Sequence, residues 1–200
     1  MEYQNTLFVE QELVSEKNLK SLVETCKKYA IFDISVVFPY DERAKPLPKS
    51  TDTLTFTKTI LFTNSKHAQN YPKLKKEHIT VLYQPDFSNE KVEEDIRKMC
   101  EKGWCDVIFG LEQSAKPDGL HKKRHSITQV EARLMCENNI SFLVQQESLL
   151  TYTENFFALN RLNQMKHILQ KQNVKSGTLS FVRKISEIRP LTKASILDKL

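Results

Sequence analysis

Short apolar runs alternate along this chain with longer segments of mixed polarity, at intervals of roughly 20–35 residues. Thr6–Val9, Phe32–Phe38, Thr57–Thr63, Ile79–Tyr83, Cys105–Phe109, Ile140–Val144 and Gly177–Val182 are rich in β-branched and aromatic residues and read as strands. Between them the apolar positions recur at helical spacing. Ser15 caps a helix with Leu19, Leu22, Val23, Cys26 and Ala30 on one face. Ser88 or Asn89 caps a second, which turns Val92, Ile96, Met99 and Cys100 inward and ends at Gly103. Ser126 with Gln129 reads as a capping box opening a third, with Ile127, Val130 and Leu134 as its apolar stripe and Asn138 and Asn139 as its end. Asn155–Lys171 carries Ala158, Leu162, Met165 and Leu169 at the same spacing. Pro39, Pro46 and Pro48 mark a loop, Pro72 interrupts a short helix within Ser65–Glu77, and Thr192 caps a short final helix.

Strands that are apolar almost throughout suit a parallel sheet covered on both faces. An open doubly wound sheet and a closed (β/α) barrel both satisfy the pattern, and periodicity does not separate them. The chain of 200 residues reads as a single domain, 1–200. Its hydrophobic fraction of 40% and charged fraction of 28% are globular values. No run is long and apolar enough for a membrane span, and the acidic start MEYQNTLFVEQE lacks the basic and apolar regions of a secretory signal. Cys26, Cys100, Cys105 and Cys136 form no CxxC pair and read as free thiols in a reducing compartment.

Charge changes the picture more than composition does. The net charge is +5, but residues 160–200 hold Arg161, Lys166, Lys171, Lys175, Arg183, Lys184, Arg189, Lys193 and Lys199 against Glu187 and Asp198. Such asymmetry favours a polyanionic partner for one face. A second basic run, Lys116 with His121, Lys122, Lys123, Arg124 and His125, follows the strand at Cys105–Phe109. Loops after strands are where α/β folds place their working surfaces.

Catalytic chemistry finds little support. Gly103, Gly110, Gly119 and Gly177 stand in no phosphate-binding loop. The five histidines are scattered without a His-x-His pair, and His121 and His125 share their loop with cations. Asp33 and Asp106 begin strands, the wrong end for barrel chemistry, and read as capping or surface groups. Glu112 and Asp118 follow a strand, but nothing in the sequence sets their acidities apart. Cys105 and Cys136 have no identifiable His companion, and Trp104 and Tyr152 suit packing as well as base stacking.

Asp106-Val107-Ile108, Lys116-Pro117-Asp118-Gly119, Val130-Glu131-Ala132-Arg133-Leu134 and Glu137-Asn138-Asn139-Ile140-Ser141-Phe142, in that order, resemble a run in the thirty-kilodalton-class, barrel-fold protein subunit of archaeal and eukaryotic ribonuclease P, which eukaryotes share with RNase MRP. Ser180 with Glu187-Ile188-Arg189 resembles that family's final strand and Glu-x-Arg element. The likeness lies in the last hundred residues; the first hundred match in topology. It implies an α/β, TIM-barrel-like (β/α) barrel, small, with its closing helix short or absent after Arg189.

The resemblance also implies a function: a noncatalytic subunit of an endoribonuclease ribonucleoprotein that removes the 5′ leader from precursor tRNA. The RNA subunit would perform the cleavage, so no cofactor is expected here and magnesium would belong to the RNA. Expected partners are ribonuclease P RNA, precursor tRNA, a small RRM-like protein subunit (the pair forming a heterotetramer in archaea) and other subunits of the particle, with no membrane. The compartment would be cytoplasmic if archaeal and nuclear if eukaryotic. Lys116, Arg133 and Arg189 match cationic or loop positions of the family pattern, while Lys122, Lys123, Arg124, Arg183 and Lys184 join the expected RNA face by charge and place. Tyr152 and Phe156 are the expected partner-interface anchors. Two other readings compete: a divergent metal-dependent PHP-type barrel hydrolase, and a noncatalytic α/β scaffold for an acidic protein partner.

Overall fold

The computed structural model describes residues 6–111, 127–145 and 156–189, the last segment by backbone alone over 156–161. Seven parallel strands lie among them: β1 (Thr6–Glu10), β2 (Asp33–Pro39), β3 (Thr55–Phe62), β4 (Thr80–Tyr83), β5 (Val107–Phe109), β6 (Ser141–Gln145) and β7 (Ser176–Val182). They pair in chain order and close into a barrel, β7 meeting β1 with Leu7 opposite Ser180, Phe8 opposite Phe181 and Val9 opposite Val182. The helices are α1 (Glu16–Lys28), α2 (Tyr71–Lys76), α3 (Val92–Lys102), α4 (Gln129–Glu137) and α5 (Phe156–Lys171). The closed barrel thus decides between the two arrangements that periodicity left open.

Alternate residues along each strand serve two cores, which is why the strands read as nearly continuous apolar runs. Phe8, Val37, Leu61, Leu82, Val107, Phe109, Leu143, Leu179 and Phe181 fill the barrel, with Phe109 and Phe181 edge to face at 5.7 Å between ring centres. The opposite faces of the strands bury residues such as Val9, Val36, Ile60, Tyr83 and Val144 in one cluster with Leu22, Met99, Met135 and Leu162 from the helices. Gly103, at φ +61°, ends α3 in the left-handed conformation expected of a helix-terminating glycine.

Two helix starts differ from their sequence reading, and a third begins where expected but is capped by backbone rather than side chain. The capping box of α4 is Thr128 with Glu131: Glu131 N–H donates to Thr128 Oγ1 at 3.2 Å, and Thr128 N–H donates to Glu131 Oε2 at 2.8 Å. The helix starts later than the Ser126 box predicts, so its inward face turns to Ala132 and Met135 and leaves Val130 exposed. Ser15 stands at the cap position of α1, but its backbone carbonyl, not its hydroxyl, receives Asn18 and Leu19 N–H. Asn89 accepts Lys91 N–H at 3.0 Å ahead of α3, whose cap position is Lys91. Ala30, expected on the buried stripe of α1, lies past the helix at φ 53° and is exposed. The anticipated final helix at Thr192 lies outside the described residues, as does Ser126.

Candidate functional site

A parallel barrel has two mouths, and the inward register positions of the strands furnish both. Above the apolar interior, at the C-terminal ends, the next such positions are Glu10, Gln84, Gln145 and Arg183. Arg183 Nε lies 2.9 Å from Glu10 Oε1, and its guanidinium carbon sits 5.7 Å from the centre of the Phe181 ring. This pair spans the β1–β7 seam. Gln145 Nε2 donates to Phe181 C=O at 3.2 Å. Gly110, at φ +76°, lets the chain pass Gln84, where a Cβ would lie 3.3 Å from the Gln84 side chain. The groups here are amides and one carboxylate already matched by a guanidinium.

Beside this mouth, at the ends of β2 and β3, Tyr40 stacks on His67 with ring centres 4.5 Å apart and 16° between planes. The Arg43 guanidinium carbon lies 4.1 Å from the Tyr40 ring centre. Lys58 holds the loop by donating to the carbonyls of Arg43 at 2.6 Å and Lys45 at 2.7 Å. Sequence reading missed this stack, because its three members are separated by loop residues that carry no periodic signal.

The expected RNA-face residues divide among several places. Lys116, Lys122, Lys123 and Arg124 lie outside the described residues, as does Tyr152. Phe156 opens the backbone of α5. Arg183 and Lys184 follow β7 directly, their N–H groups donating to Glu187 at 2.8 Å and 3.0 Å, and Arg189 stands exposed after the buried Ile188. Arg133 is not with them. It sits on α4, its Nε 3.5 Å from Glu137 Oε1, with α5 packed alongside.

At the opposite mouth the inward positions are hydroxylic. Thr6, Ser35, Thr57 and Thr80, with Phe8, line a cavity of about 410 Å³ whose lip includes Glu77 and His78. Ser35 and Thr59 share a 2.5 Å hydrogen bond beneath it. Asp106, just before β5, accepts Val81 N–H at 2.8 Å, Tyr71 Oη–H at 3.0 Å and the Lys75 ammonium; where the sequence suggested a capping or surface group, it is a partly buried tie between β4, β5 and α2. Asp95 on α3 is buried and accepts from Ser65 and Asn89, a role with no periodic or motif signal along the chain. Burial pushes the Cys26 thiol up to about 11 and raises those of Cys100 and Cys105; Cys136 is exposed, and none of the four is in a disulfide.

A metal centre needs several carboxylate, imidazole or thiolate ligands converging on one point. Among the described residues no group of three or more His, Cys, Asp or Glu side chains converges in this way. At the described part of the C-terminal mouth, Glu10 is paired with the Arg183 cation and Glu187 accepts the Arg183 and Lys184 N–H groups.

No protein-family model and no curated protein sequence matches this chain. Solved structures do. One is a chain of a cryo-EM structure of archaeal ribonuclease P with mature tRNA, 12% identical, with a TM-score of 0.62 over 92% of this chain and 77% of that one. Another is histidinol phosphate phosphatase from Lactococcus lactis subsp. lactis, complexed with zinc, L-histidinol and phosphate. It is 8% identical, with a TM-score of 0.52 over 97% of this chain and 92% of that one. At these identities the likeness establishes a shared barrel fold.

Proposed function

We propose that this chain is a noncatalytic, RNA-binding barrel subunit of a ribonuclease P-type ribonucleoprotein that supports 5′-leader removal from precursor tRNA. The observation that carries the reading is the overlap, across 92% of this chain, with a protein that sits in an archaeal ribonuclease P particle bound to tRNA. The family resemblance of residues 106–142 and 180–189 points the same way. The role is charge neutralisation: lysines and arginines displace counterions from packed phosphates and help the catalytic RNA fold, while any magnesium belongs to that RNA. Lys116, Lys122, Lys123, Arg124, Lys184 and Arg189 are the proposed contacts at the C-terminal rim, with Arg183 contributing after exchanging Glu10 for phosphate. Tyr152 and Phe156 are the proposed anchors for a small RRM-like subunit. Reconstituting precursor-tRNA cleavage from ribonuclease P RNA and its other proteins, with and without this chain, tests the reading. Activity at lower magnesium with the chain present is expected; unchanged cleavage overturns it.

The phosphatase overlap favours one rival, a divergent metal-dependent hydrolase on the same fold. The Glu10–Arg183 pair at the described mouth weighs against it. Stoichiometric metal in the purified protein, together with phosphatase or nuclease activity of the chain by itself, would promote that rival.

A further inference from the structure

In a parallel barrel every helix begins at the C-terminal ends of the strands and finishes at the N-terminal ends. Here the first turns carry Glu16 in α1, Glu93 and Glu94 in α3 and Glu131 in α4. The last turns carry Lys27 and Lys28 in α1, Lys75 and Lys76 in α2, Lys102 in α3 and Lys171 in α5. Each choice complements its own helix dipole, worth about half an elementary charge per end, which one lysine more than offsets. Repeated around the barrel, these local choices gather cations at the N-terminal mouth. Lys75 is taken by Asp106 and Glu137 by Arg133. Lys27, Lys28, Lys76 and Lys175 remain exposed, interleaved with Asp33 and Glu77.

Among these cations stands Phe32, 60% exposed where most large apolar side chains of the described residues are buried. Its backbone is fixed, because its carbonyl accepts Thr55 N–H at 2.9 Å. It follows Tyr29, over whose ring the Lys28 ammonium sits at 5.2 Å, and it precedes β2, whose Ser35 lines the hydroxylic cavity. An exposed ring on a fixed backbone, at the barrel end that also carries these lysines and hydroxyls, offers what an unpaired nucleotide needs: a stacking surface, phosphate neutralisation and partners for base edges or the 2′-hydroxyl.

We propose that the N-terminal mouth binds a single-stranded RNA segment, with Phe32 stacked on a base and Lys27, Lys28, Lys76 and Lys175 along the phosphates. The proposal deepens the ribonucleoprotein reading above and rests on it. The test is binding of the full chain to a fluorescently labelled oligouridylate, followed by anisotropy across a potassium chloride series. Phe32→Ala should weaken affinity about tenfold with an unchanged salt slope. Lys27→Ala/Lys28→Ala should lower that slope by about 1.4, near 0.7 per phosphate contact on a single strand. Lys17→Ala/Lys20→Ala, a charge-matched change elsewhere on α1, should do neither. All five positions are exposed, so native circular dichroism should persist. Equal losses in the control, or wild-type behaviour of the Phe32 and Lys27/Lys28 variants, overturn the surface. If the oligouridylate binds as described but the chain leaves precursor-tRNA cleavage unchanged, the surface stands and the ribonucleoprotein reading falls. Absence of RNA binding by the wild-type chain overturns both.

Discussion

Asp106→Ala is expected to destabilise the barrel by about 3 kcal/mol, more than any exposed ion pair in the molecule. The carboxylate joins three elements: Val81 N–H donates to it at 2.8 Å from β4, Tyr71 Oη–H at 3.0 Å from α2, and the Lys75 ammonium completes the set. Asp106 N–H in turn donates to Val81 C=O at 2.9 Å, so the two residues exchange bonds just before the β4–β5 ladder begins. The Asp106 side chain is 10% exposed and that of Lys75 59% exposed. Water therefore takes over much of the lysine's share, leaving about 0.5 kcal/mol for that pair. The strand amide and the tyrosine hydroxyl should contribute about 1–1.5 kcal/mol each, because deletion leaves them without an acceptor. At about 3 °C per kcal/mol for a domain of this size, Tm should fall by roughly 9 °C. Urea unfolding followed by circular dichroism measures the loss, with Lys75→Met as the companion variant, expected to cost under about 1 kcal/mol. If Asp106→Ala lies within about 0.5 kcal/mol of wild type, the tie between β4, β5 and α2 is not as argued.

Tyr83 is buried with its hydroxyl lacking a hydrogen-bond partner among the described residues, so Tyr83→Phe should be neutral or stabilising by about 1 kcal/mol; a clear loss in the same urea assay would reveal a partner. Cys136 alone among the four thiols should react with a maleimide in the native protein, because Cys26, Cys100 and Cys105 are buried and held protonated; mass spectrometry showing two or more labels without unfolding would contradict this. Asp86 accepts the Ser88 hydroxyl at 2.6 Å and its N–H at 3.0 Å, which lower its pKa below 3.8. The unfolded chain then takes up the proton at higher pH, so this stabilisation is present above the ordinary carboxylate value and is lost as pH falls through the lowered one. Ser88→Ala should raise the Asp86 midpoint in an NMR titration, and an unmoved midpoint would remove the hydroxyl from the account.

All seven strands were legible because each is a short run rich in β-branched and aromatic residues, a signal that needs no partner to interpret. Closure was not, since it depends on Phe8 meeting Phe181 across nearly the whole chain. The start of α4 was misplaced because Ser126–Gln129 and Thr128–Glu131 satisfy the same four-residue pattern, two positions apart. Choosing the first turns Val130 inward; the structure exposes it and buries Met135. The pairing of Arg133 with Glu137 was readable from four-residue spacing, whereas that of Arg183 with Glu10 needed the closed seam.

Linear charge was the most persuasive feature of the sequence and the one most altered by folding. Read along the chain, Lys171, Lys175, Arg183 and Lys184 form one basic cluster that favours a polyanion on one face. In the barrel, β7 runs between them: Lys171 and Lys175 precede Ser176, while Arg183 and Lys184 follow Val182. Seven residues of parallel strand at about 3.3 Å each separate the two pairs by about 23 Å. That is nearly three Debye lengths at physiological ionic strength, where the length is about 8 Å, so the pairs act on a ligand independently. The rim pair is tempered by Glu10 and Glu187, whereas the other pair lies at the end where Lys27, Lys28 and Lys76 also gather. A polyanion that engages both must therefore run along the flank of the barrel or present two separate segments. For the same reason, losses from Lys175→Ala and Lys184→Ala in RNA affinity should add rather than overlap.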